Sequence, residues 1–563
     1  MALLRTLHQA IDDAAASDSG YCFASGEAER WQTYAALRDA SLQVARALRE
    51  AGLRRGDLVA LILPDAGQFL IALLGASLGG VTPASLAPPA TTVGLPRYLE
   101  RTQTILRASG ARAIVTARRL AAPLTAALAA ARPAINPQPT VLILDGLDAA
   151  PLEPDFAPAL DDVALVQFTS GSTASPKGVT LTHANLAANI AAFGGPDGIA
   201  ISRDDIGVSW LPLSHDMGLV GMALGPLYAA RPCVLLPPQE FVKHPAEWLR
   251  AITRHRATVS FAPNFAYDLC VRRVTDTAGL DLSSWRVAGC GAEPVHAATL
   301  SAFSAKFAAA GFRETSYVPC YGLAEHVLAA TVSPRGRPPR VEHVSAEGLT
   351  SGRIAMEQAE GDRVVALVSC GPSLPGHQLR IVSDDGRVVE ERHVGEIYLA
   401  GPSVMAGYHN EPALTAETIR DGWLRTGDLG YLSEGELFVC GRAKDIVIVN
   451  GRKFPSEDLE WAVERVGGVR PGRAVAFASA GGGVDRVVVV LESDGTVAAN
   501  ALVDGVRREV ADLFGLFVDD VVVVRNGTVS RTTSGKVQRA ATRERYERGE
   551  LTSDAGQTSV RPR

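Results

Sequence analysis

The chain has 563 residues, of which 47% are hydrophobic and 21% charged, and its formal net charge at pH 7 is −6. This length exceeds what one hydrophobic core needs and predicts two or three domains, while the lack of a basic surplus argues against nucleic acid or an anionic membrane as a partner. The seven cysteines are spread singly without a CxxC pair. That distribution is typical of a reducing compartment and not of a zinc site or a disulfide framework, so we expect a cytoplasmic protein.

The first part of the chain predicts alternating helices and strands. Thr33 can cap a helix whose apolar residues recur at helical spacing up to Gly52, and residues 58–63 form an apolar run typical of a buried strand. Residues 66–96 carry no charge, but glycines and prolines interrupt them, so we predict a buried helix followed by a strand and no membrane span. Shorter apolar runs continue the alternation at 141–144, 164–168 and 233–236. This order predicts a layered α/β architecture whose ligand site lies where strands end.

The stretch 169–178, with the sequence TSGSTASPKG, directly follows one of these apolar runs. Its glycines let backbone N–H groups converge on one point, its hydroxyls add donors, and its lysine can neutralise phosphate charge. The Walker motif GxxxxGK[ST] does not occur in the chain, and a Ser- and Gly-rich surface turn is the alternative interpretation. We predict a phosphate-binding loop for a nucleotide. Its candidate binding residues are Thr169, Ser170, Gly171, Ser172, Thr173 and Lys177.

The rest of the chain predicts two smaller units. Short strands with Gly and Pro turns indicate a small β subdomain over about 364–440. An apolar strand at 446–449, an Asn450-Gly451 turn and a helix entered through Pro455 are typical of a compact α+β unit. The predicted bounds are 1–441 for a large N-terminal domain, 442–551 for a small mobile C-terminal α+β domain and 552–563 for a disordered tail.

Four further motifs follow the loop, and each taken alone has an ordinary structural explanation. A lone lysine is most often solvated, an Asp and an Arg often form a structural ion pair, and a Tyr-Gly pair is common in cores and turns. The motifs are Tyr321-Gly322-Leu323-Ala324-Glu325, Trp423-Leu424-Arg425-Thr426-Gly427-Asp428, Gly441-Arg442-Ala443-Lys444-Asp445 and Thr532-Thr533-Ser534-Gly535-Lys536. With the loop, their order and spacing resemble the adenylate-forming superfamily of acyl-CoA synthetases, luciferases and nonribosomal adenylation domains.

Within that superfamily the sequence is similar to the fatty acyl-AMP ligases. The similarity is carried by WLPLSHDMGL at 210–219, PNFAYDLCVRR at 263–273, GAEP at 291–294 and the YGLAE form of the motif at 321–325. The stretch of chain from Glu325 to Gly371 has more residues than ordinary acyl-CoA ligases need at this place. The insertion typical of the fatty acyl-AMP ligases is therefore expected at about 334–363. A tolerated surface loop is the alternative explanation of this length.

The resemblance implies that a carboxylate attacks the α-phosphorus of ATP, a reaction between two anions that positioned cations and donors accelerate. It implies Lys536 as the central cation, Glu325 as a ligand of Mg²⁺ beside the phosphates, and His215 close to the substrate carboxylate. A core histidine is the alternative for His215, and a helix-cap carboxylate for Glu325. No general base is needed, because carboxylic acids are ionised at neutral pH.

The resemblance also implies how the nucleoside is held. Asp428 would accept hydrogen bonds from the ribose hydroxyls, Arg442 would support the same sugar, and Lys444 would lie at the hinge about which the small domain rotates between two half-reactions. The adenine is expected to lie against Gly291, Ala292, Glu293, Tyr321 and Gly322.

The predicted function is ATP-dependent activation of a fatty acid or related carboxylic acid to an acyl-adenylate, with transfer to the phosphopantetheine thiol of an acyl carrier protein in polyketide or lipopeptide assembly. No carrier domain follows Leu551, so the carrier is expected to be a separate polypeptide. The alternatives are an acyl-CoA ligase, a nonribosomal-type amino-acid adenylating enzyme and a degenerate nucleotide-binding scaffold.

Three positions depart from the family pattern. Ala174 stands where the phosphate loop normally has glycine, and at a positive φ alanine would cost about 1 kcal/mol. Ser214 replaces a usual phenylalanine, and RKFPS at 452–456 differs from the common Arg-Asn-His-Tyr-Pro. We therefore expect a looser phosphate cradle and an unusual acyl pocket or carrier contact.

Overall fold

The computed structural model of the chain describes residues 4–26, 28–89, 95–146, 150–153, 155–169, 177–346, 348–349, 354–356, 364–449, 452–481, 484–531 and 537–551. The first elements are α1 (Leu7–Ala15), β1 (Gly20–Ser25), β2 (Ala28–Thr33), α2 (Tyr34–Glu50), β3 (Leu58–Ile62), α3 (Ala66–Leu78), β4 (Thr82–Ser85), α4 (Leu95–Ser109), β5 (Ala113–Thr116), α5 (Arg118–Ala130) and β6 (Thr140–Ile143). They are followed by β7 (Val163–Thr169), β8 (Lys177–Thr182), α6 (His183–Gly194), β9 (Gly207–Ser209), a π-helix (Met217–Leu224), α7 (Gly225–Ala229), β10 (Cys233–Leu235), α8 (Pro238–Lys243), α9 (Ala246–His255), β11 (Val259–Ala262), α10 (Asn264–Arg273), β12 (Val287–Cys290), α11 (Ala297–Phe307), β13 (Tyr317–Gly322) and β14 (Ala329–Val332).

The remaining elements are shorter strands and a few helices. They are β15 (Val341–Ser345), β16 (Val364–Val368), β17 (Gln378–Val382), β18 (Gly395–Ala400), β19 (Gly407–Tyr408), α12 (Pro412–Thr418), β20 (Ile419–Arg420), β21 (Trp423–Ser433), β22 (Glu436–Arg442), β23 (Ile446–Val449), β24 (Arg452–Pro455), α13 (Ser456–Glu464), β25 (Val469–Gly481), β26 (Val484–Ser493), α14 (Ala499–Phe514), β27 (Asp520–Val524) and α15 (Arg539–Glu547).

Threonine caps set the start of several helices. The Thr33 hydroxyl accepts a hydrogen bond from the backbone N–H of Ala36, while Thr6 and Thr182 complete capping boxes at α1 and α6. The cap at Thr33 and the helix ending before Gly52 confirm the sequence prediction, as do the buried strand β3 and the buried helix α3 followed by β4. Among the described residues, no helix is both long and apolar enough to cross a bilayer.

Two large sheets form the layers of the N-terminal part. One has the strand order β14-β13-β12-β11-β9-β10-β1-β2, with its inner strands parallel and both edge strands antiparallel. The other has the order β19-β8-β7-β4-β3-β5-β6, in which β7, β4, β3, β5 and β6 are parallel. In each sheet the carboxyl ends of the parallel strands lie at the same edge, which is where α/β proteins bind ligands. The loop after β7 lies at this edge of the second sheet, and the loops after β12 and β13 lie at this edge of the first.

Alternation along β3 shows how the second sheet is covered on both faces. Val59 and Leu61 belong to the large core that it shares with the other sheet, whereas Leu58, Ala60 and Ile62 pack in a second core with α4 and α5. Successive side chains of a strand point to opposite faces, so a strand buried on both sides is apolar throughout. This explains why residues 58–63 form a continuous hydrophobic run.

A smaller antiparallel sheet follows, with the order β17-β18-β21-β20 and with β22 paired to β21. It lies within the region predicted to be a β subdomain. Strand β15, inside the predicted insertion at about 334–363, pairs antiparallel with β16. The carboxylate of Glu342 on β15 accepts hydrogen bonds from Tyr431 and Ser433, so this part of the segment is built into the fold.

The C-terminal elements have a core of their own. Strands β25, β26 and β27 form one sheet, β23 and β24 form a hairpin, and α13 and α14 pack on them through apolar residues separate from the larger core. The helix entered through Pro455 is confirmed as α13, whereas the predicted Asn450-Gly451 turn and the tail 552–563 lie outside the described residues. The fold class is therefore confirmed as a large N-terminal α/β part and a smaller C-terminal α+β part. The domain bounds and the mobility stay predictions.

Candidate active site

The predicted phosphate loop starts and ends at one point of the second sheet. Thr169, the last residue of β7, pairs with Lys177, the first residue of β8, in an antiparallel ladder. The residues between them, which include the candidates Ser170, Gly171, Ser172 and Thr173 and the departure Ala174, lie outside the described part of the chain. The described residues thus place the base of this loop at the carboxyl end of β7.

Lys177 and Glu325 both contact one tyrosine, Tyr408. The Lys177 ammonium lies 5.0 Å from the centre of the Tyr408 ring, and the Tyr408 hydroxyl donates a 2.8 Å hydrogen bond to the Glu325 carboxylate. Burial and the neighbouring Glu325 charge raise the pKa of Tyr408, so this phenol stays protonated as a donor. The structure therefore brings the base of the phosphate loop next to the predicted metal ligand.

Asp428 is a buried carboxylate at the centre of a polar cluster. Its Oδ2 accepts a 2.7 Å hydrogen bond from the Tyr321 hydroxyl, and its Oδ1 accepts a 2.9 Å bond from Arg442 Nε. The Asp428 side chain is 7% exposed, whereas that of Arg442 is 52% exposed. Burial and the Asp428 charge raise the pKa of Tyr321, and the same charge raises the pKa of Arg442. The Asp428 carboxylate thus joins Tyr321 of the predicted adenine site to Arg442, the other residue predicted at the ribose.

The predicted adenine residues lie at the ends of two adjacent parallel strands. Gly291, Ala292 and Glu293 follow β12, and Tyr321 and Gly322 end its neighbour β13. Ala292 has a φ of +66°, a left-handed conformation that is uncommon for a residue with a side chain. The strand ends therefore bring all five residues to one edge of the first sheet.

Close packing explains the two glycines at this edge. A Cβ on Gly291 would lie 2.7 Å from the backbone oxygen of Cys320, and a Cβ on Gly322 would overlap the backbone oxygen of Leu328. The Glu293 carboxylate accepts a 2.5 Å hydrogen bond from the backbone N–H of Phe265, the second residue of α10. Glu293 thus fixes the end of β12 against the start of a helix.

His215 lies on the segment between β9 and the π-helix. The adjacent Asp216 caps that helix, with its Oδ1 accepting a 2.8 Å hydrogen bond from the backbone N–H of Met217. The same segment reaches the other sheet, because Gln167 on β7 donates to the backbone oxygen of Ser214 at 3.5 Å. Ser214 is itself buried. His215 therefore lies near the strand that leads into the phosphate loop.

The turn Ala443–Asp445 connects the Asp428 cluster to the C-terminal elements. Lys444 in this turn is exposed, which suits either a hinge or a linker lysine. Its neighbour Asp445 accepts a 2.8 Å bond from Arg539 at the start of α15. Lys536 lies outside the described residues, so its predicted contact with the reacting groups stays a prediction.

Sequence reasoning missed Tyr408 and Arg539. Each is separated by a long stretch of chain from the carboxylate it binds, and no local pattern marks either pairing. One group of three possible metal ligands lies close together in the described part of the chain, namely Cys22, Glu29 and His255. It is at the β2 edge of the first sheet, the opposite side from β13, and its carboxylate is already paired with Arg254 at 2.7 Å.

Two family descriptions match the chain. One, AMP-binding enzyme, covers residues 8–409, and the other, the AMP domain of Disco-interacting protein 2-like proteins, covers residues 444–555. A medium-chain fatty acid acyl-carrier-protein ligase of Moorena producens is 37% identical, with 88% of this chain and 87% of that protein aligned. A long-chain fatty acid AMP ligase of Mycobacterium marinum is 36% identical, with 87% of each aligned.

Solved structures agree with these matches. One from a study of fatty acyl-adenylate ligases of E. coli and L. pneumophila superposes with a TM-score of 0.91 at 35% identity, covering 97% of this chain and 98% of that one. The similarity spans both the large α/β part and the smaller C-terminal part.

Proposed function

Since this chain belongs to the AMP-binding enzyme family, within its fatty acyl-AMP ligases, we propose that it joins a fatty acid to the α-phosphate of ATP and passes the acyl group to an acyl carrier protein. In the first step a carboxylate oxygen forms a bond to the α-phosphorus and pyrophosphate leaves. In the second step a thiol forms a bond to the acyl carbon and AMP leaves. The Tyr321, Asp428 and Arg442 cluster is the observation that carries the nucleotide part of this proposal.

Asp428 is proposed to bind the ribose. A carboxylate oxygen has more than one acceptor position, so Asp428 can keep its bonds to Tyr321 and Arg442 and also accept from sugar hydroxyls. The Tyr321 ring, buried at the end of β13, is then available to pack on the adenine.

Glu325 is proposed to hold Mg²⁺. The donor type fits, because Mg²⁺ is a hard ion that takes one or two carboxylates and completes its shell with water and phosphate oxygens. The position also fits, because Tyr408 donates a hydrogen bond to one Glu325 oxygen, and its ring centre lies 5.0 Å from the Lys177 ammonium at the base of the phosphate loop. When bound, the ion would neutralise phosphate charge.

The two reactants are both anions, so cations that approach them together lower the barrier. Lys177 is proposed to act on the phosphates, and Lys536 between the substrate carboxylate and the α-phosphate. His215 is proposed to lie beside the carboxylate without acting as a base. The hinge at Lys444, a carrier in trans and a cytoplasmic location remain predictions from the sequence.

The acceptor is the part of the proposal that an experiment decides most directly. Purified protein, ATP and a panel of medium and long fatty acids are incubated either with a phosphopantetheinylated carrier protein or with CoA. We expect acyl-carrier protein to form much faster than acyl-CoA. Abundant acyl-CoA would favour the acyl-CoA ligase alternative, and adenylation of amino acids alone would favour the nonribosomal type.

The predicted insertion gives a sharper test of acceptor choice. Deleting all of 334–363 would remove β15 and the bonds that Glu342 accepts, so the deletion has to spare them. Ser345 and Val364 are paired neighbours, and an Asn-Gly turn can therefore replace residues 346–363 as a tight hairpin. The change removes two hydrogen bonds, one from the Ala355 backbone N–H to the Arg392 backbone oxygen and one from Arg392 Nε to the Ala355 backbone oxygen, which costs some stability.

We expect this hairpin variant to increase acyl-CoA formation about tenfold relative to acyl-carrier formation, a change of about 1.4 kcal/mol in the barrier. Pyrophosphate exchange in the same variant is the control for folding and should stay close to that of the wild type. Unchanged acceptor preference in a variant that still exchanges pyrophosphate would contradict a role of the insertion in acceptor choice.

A further inference from the structure

Arg539, the first residue of α15, is surrounded by three carboxylates. Its Nε and Nη2 bond both oxygens of Glu460 at 2.7 and 2.6 Å, and its Nη1 lies 2.8 Å from Asp445 and 3.2 Å from Glu457. The Arg539 side chain is only 14% exposed. One half-buried guanidinium thus bonds three carboxyl groups, which is more than an ordinary surface ion pair does.

The three carboxylates come from two different elements. Asp445 belongs to the turn Ala443–Asp445, and Glu457 and Glu460 lie on α13. The planar guanidinium has five donors and makes four bonds to the three carboxyl groups, whereas a lysine ammonium has only three donors. Arg539 therefore ties the start of α15 to both elements, and we call Arg539, Asp445, Glu457 and Glu460 the arginine clamp.

The arginine clamp adjoins the Asp428 cluster. Arg442 immediately precedes the turn, and it bonds Asp428 at 2.9 Å. A Cβ placed on Gly441 would lie 3.7 Å from the Glu457 carboxylate, so this helix residue is close to the strand that carries Arg442. Burial raises the pKa of Glu457, and the nearby charges of Arg539 and Arg442 offset part of that rise. Charged groups of alternating sign thus run from Asp428 to the start of α15.

Arg539 also follows Lys536 by three residues. A fully extended chain spans at most about 3.6 Å per residue, so the two Cα atoms lie within about 11 Å of each other. Whatever holds Arg539 in place therefore limits how far Lys536 can be from the turn that follows Arg442.

We propose that Arg539 is a positioning residue for adenylation, which holds the start of α15 on the turn 443–445 and thereby keeps Lys536 within reach of a nucleotide bound at Asp428. The inference rests on the proposed function and deepens it. Arg539 touches no reacting atom, and it acts through the placement of the segment that precedes it.

Removing Arg539 would leave its carboxylates without their cation. Burial raises the pKa of Glu460 to about 7 even with Arg539 present, and it raises the pKa of Asp458 to about 7. The titratable and charged groups that face these carboxyls are Asp428, Cys440, Arg442, Asp445, Glu457, Asp458, Glu460 and Arg539. A carboxyl with a raised pKa supports the folded arrangement while protonated and opposes it as the pH rises through that pKa. In an Arg539→Gln protein the remaining carboxyls should therefore repel one another increasingly as the pH rises above about 7.

The test compares Arg539→Gln with Arg543→Gln on the same helix, because Arg543 forms an exposed ion pair with Glu547 one turn further along. Two rates are measured separately: fatty-acid-dependent exchange of labelled pyrophosphate into ATP, and acyl transfer to carrier protein from supplied acyl-adenylate. We expect Arg539→Gln to lower the exchange about 100-fold. Transfer, and both rates of Arg543→Gln, should stay within about threefold of the wild type.

The pH profile and a milder variant separate positioning from general stability. The residual exchange of Arg539→Gln should fall further between about pH 6 and pH 8.5 relative to the wild type. If Arg539→Gln does not fold, Asp445→Asn leaves the Glu460 bonds in place and should still lower exchange about tenfold while sparing transfer.

Wild-type exchange in a folded Arg539→Gln or Asp445→Asn protein would overturn the inference. Equal loss of both half-reactions with an unchanged pH profile would also overturn it, because that pattern indicates a structural role only. If the wild-type protein does not exchange pyrophosphate with any carboxylic acid that is tested, the proposed function fails, and this inference fails with it.

Discussion

Lys536→Ala is expected to lower the rate of acyl-adenylate formation about 10³-fold while ATP still binds with nearly its wild-type affinity. The reason is that a cation placed between two approaching anions stabilises the charge that concentrates in the transition state, and contributes less to holding ATP alone. The measurement is fatty-acid-dependent pyrophosphate exchange, with ATP affinity determined separately by titration calorimetry.

The matched control is Lys243→Ala, which removes an exposed lysine at the end of α8. It should leave both quantities unchanged within about twofold. Exchange at the wild-type rate in Lys536→Ala would refute the role assigned to this lysine. A parallel loss of ATP affinity would instead assign it to ground-state nucleotide binding.

Asp428→Asn is expected to raise the KM for ATP about 100-fold, because a charge-assisted hydrogen bond contributes about 1.5–3 kcal/mol and the amide cannot accept from the ribose, Tyr321 and Arg442 together. The measurement is the ATP dependence of pyrophosphate exchange, with thermal unfolding followed in parallel. Tyr321→Phe is the milder companion, because it removes one donor to Asp428 and keeps the ring.

Deoxy-ATP analogues show whether the sugar is the partner of Asp428. The wild type should discriminate against ATP that lacks a ribose hydroxyl, and Asp428→Asn should lose much of that discrimination, as expected for two groups that interact directly. A folded Asp428→Asn protein with unchanged KM for ATP would contradict the ribose role. It would leave the bond to Arg442 as a structural ion pair.

The family resemblance predicted Asp428 and Arg442 at the same sugar, and the structure shows them in contact. Both residues lie in short motifs on adjacent strands of one hairpin, and the β21–β22 register places them opposite each other. The alternation of helices and strands up to β4 was equally predictable, because caps and apolar periodicity are local properties of the sequence. Such features need no knowledge of the tertiary structure.

The contacts of Tyr408 and Arg539 could not be predicted in this way. Tyr408 reaches Glu325 and Arg539 reaches Asp445 only after the sheets have assembled, since 83 and 94 positions of chain separate the partners. Strand β15 was missed for a related reason. Its five residues gain their stability from pairing with β16 across the intervening segment 346–363, and the resemblance treated the whole stretch as an insertion.

The most direct test of adenylate formation is the exchange of labelled pyrophosphate into ATP by the purified wild-type protein, measured with and without a panel of free fatty acids. We predict exchange that requires both Mg²⁺ and a medium or long fatty acid. No exchange with any carboxylic acid, in protein that is folded and binds ATP, would contradict the proposed activity and favour a nucleotide-binding scaffold without catalysis.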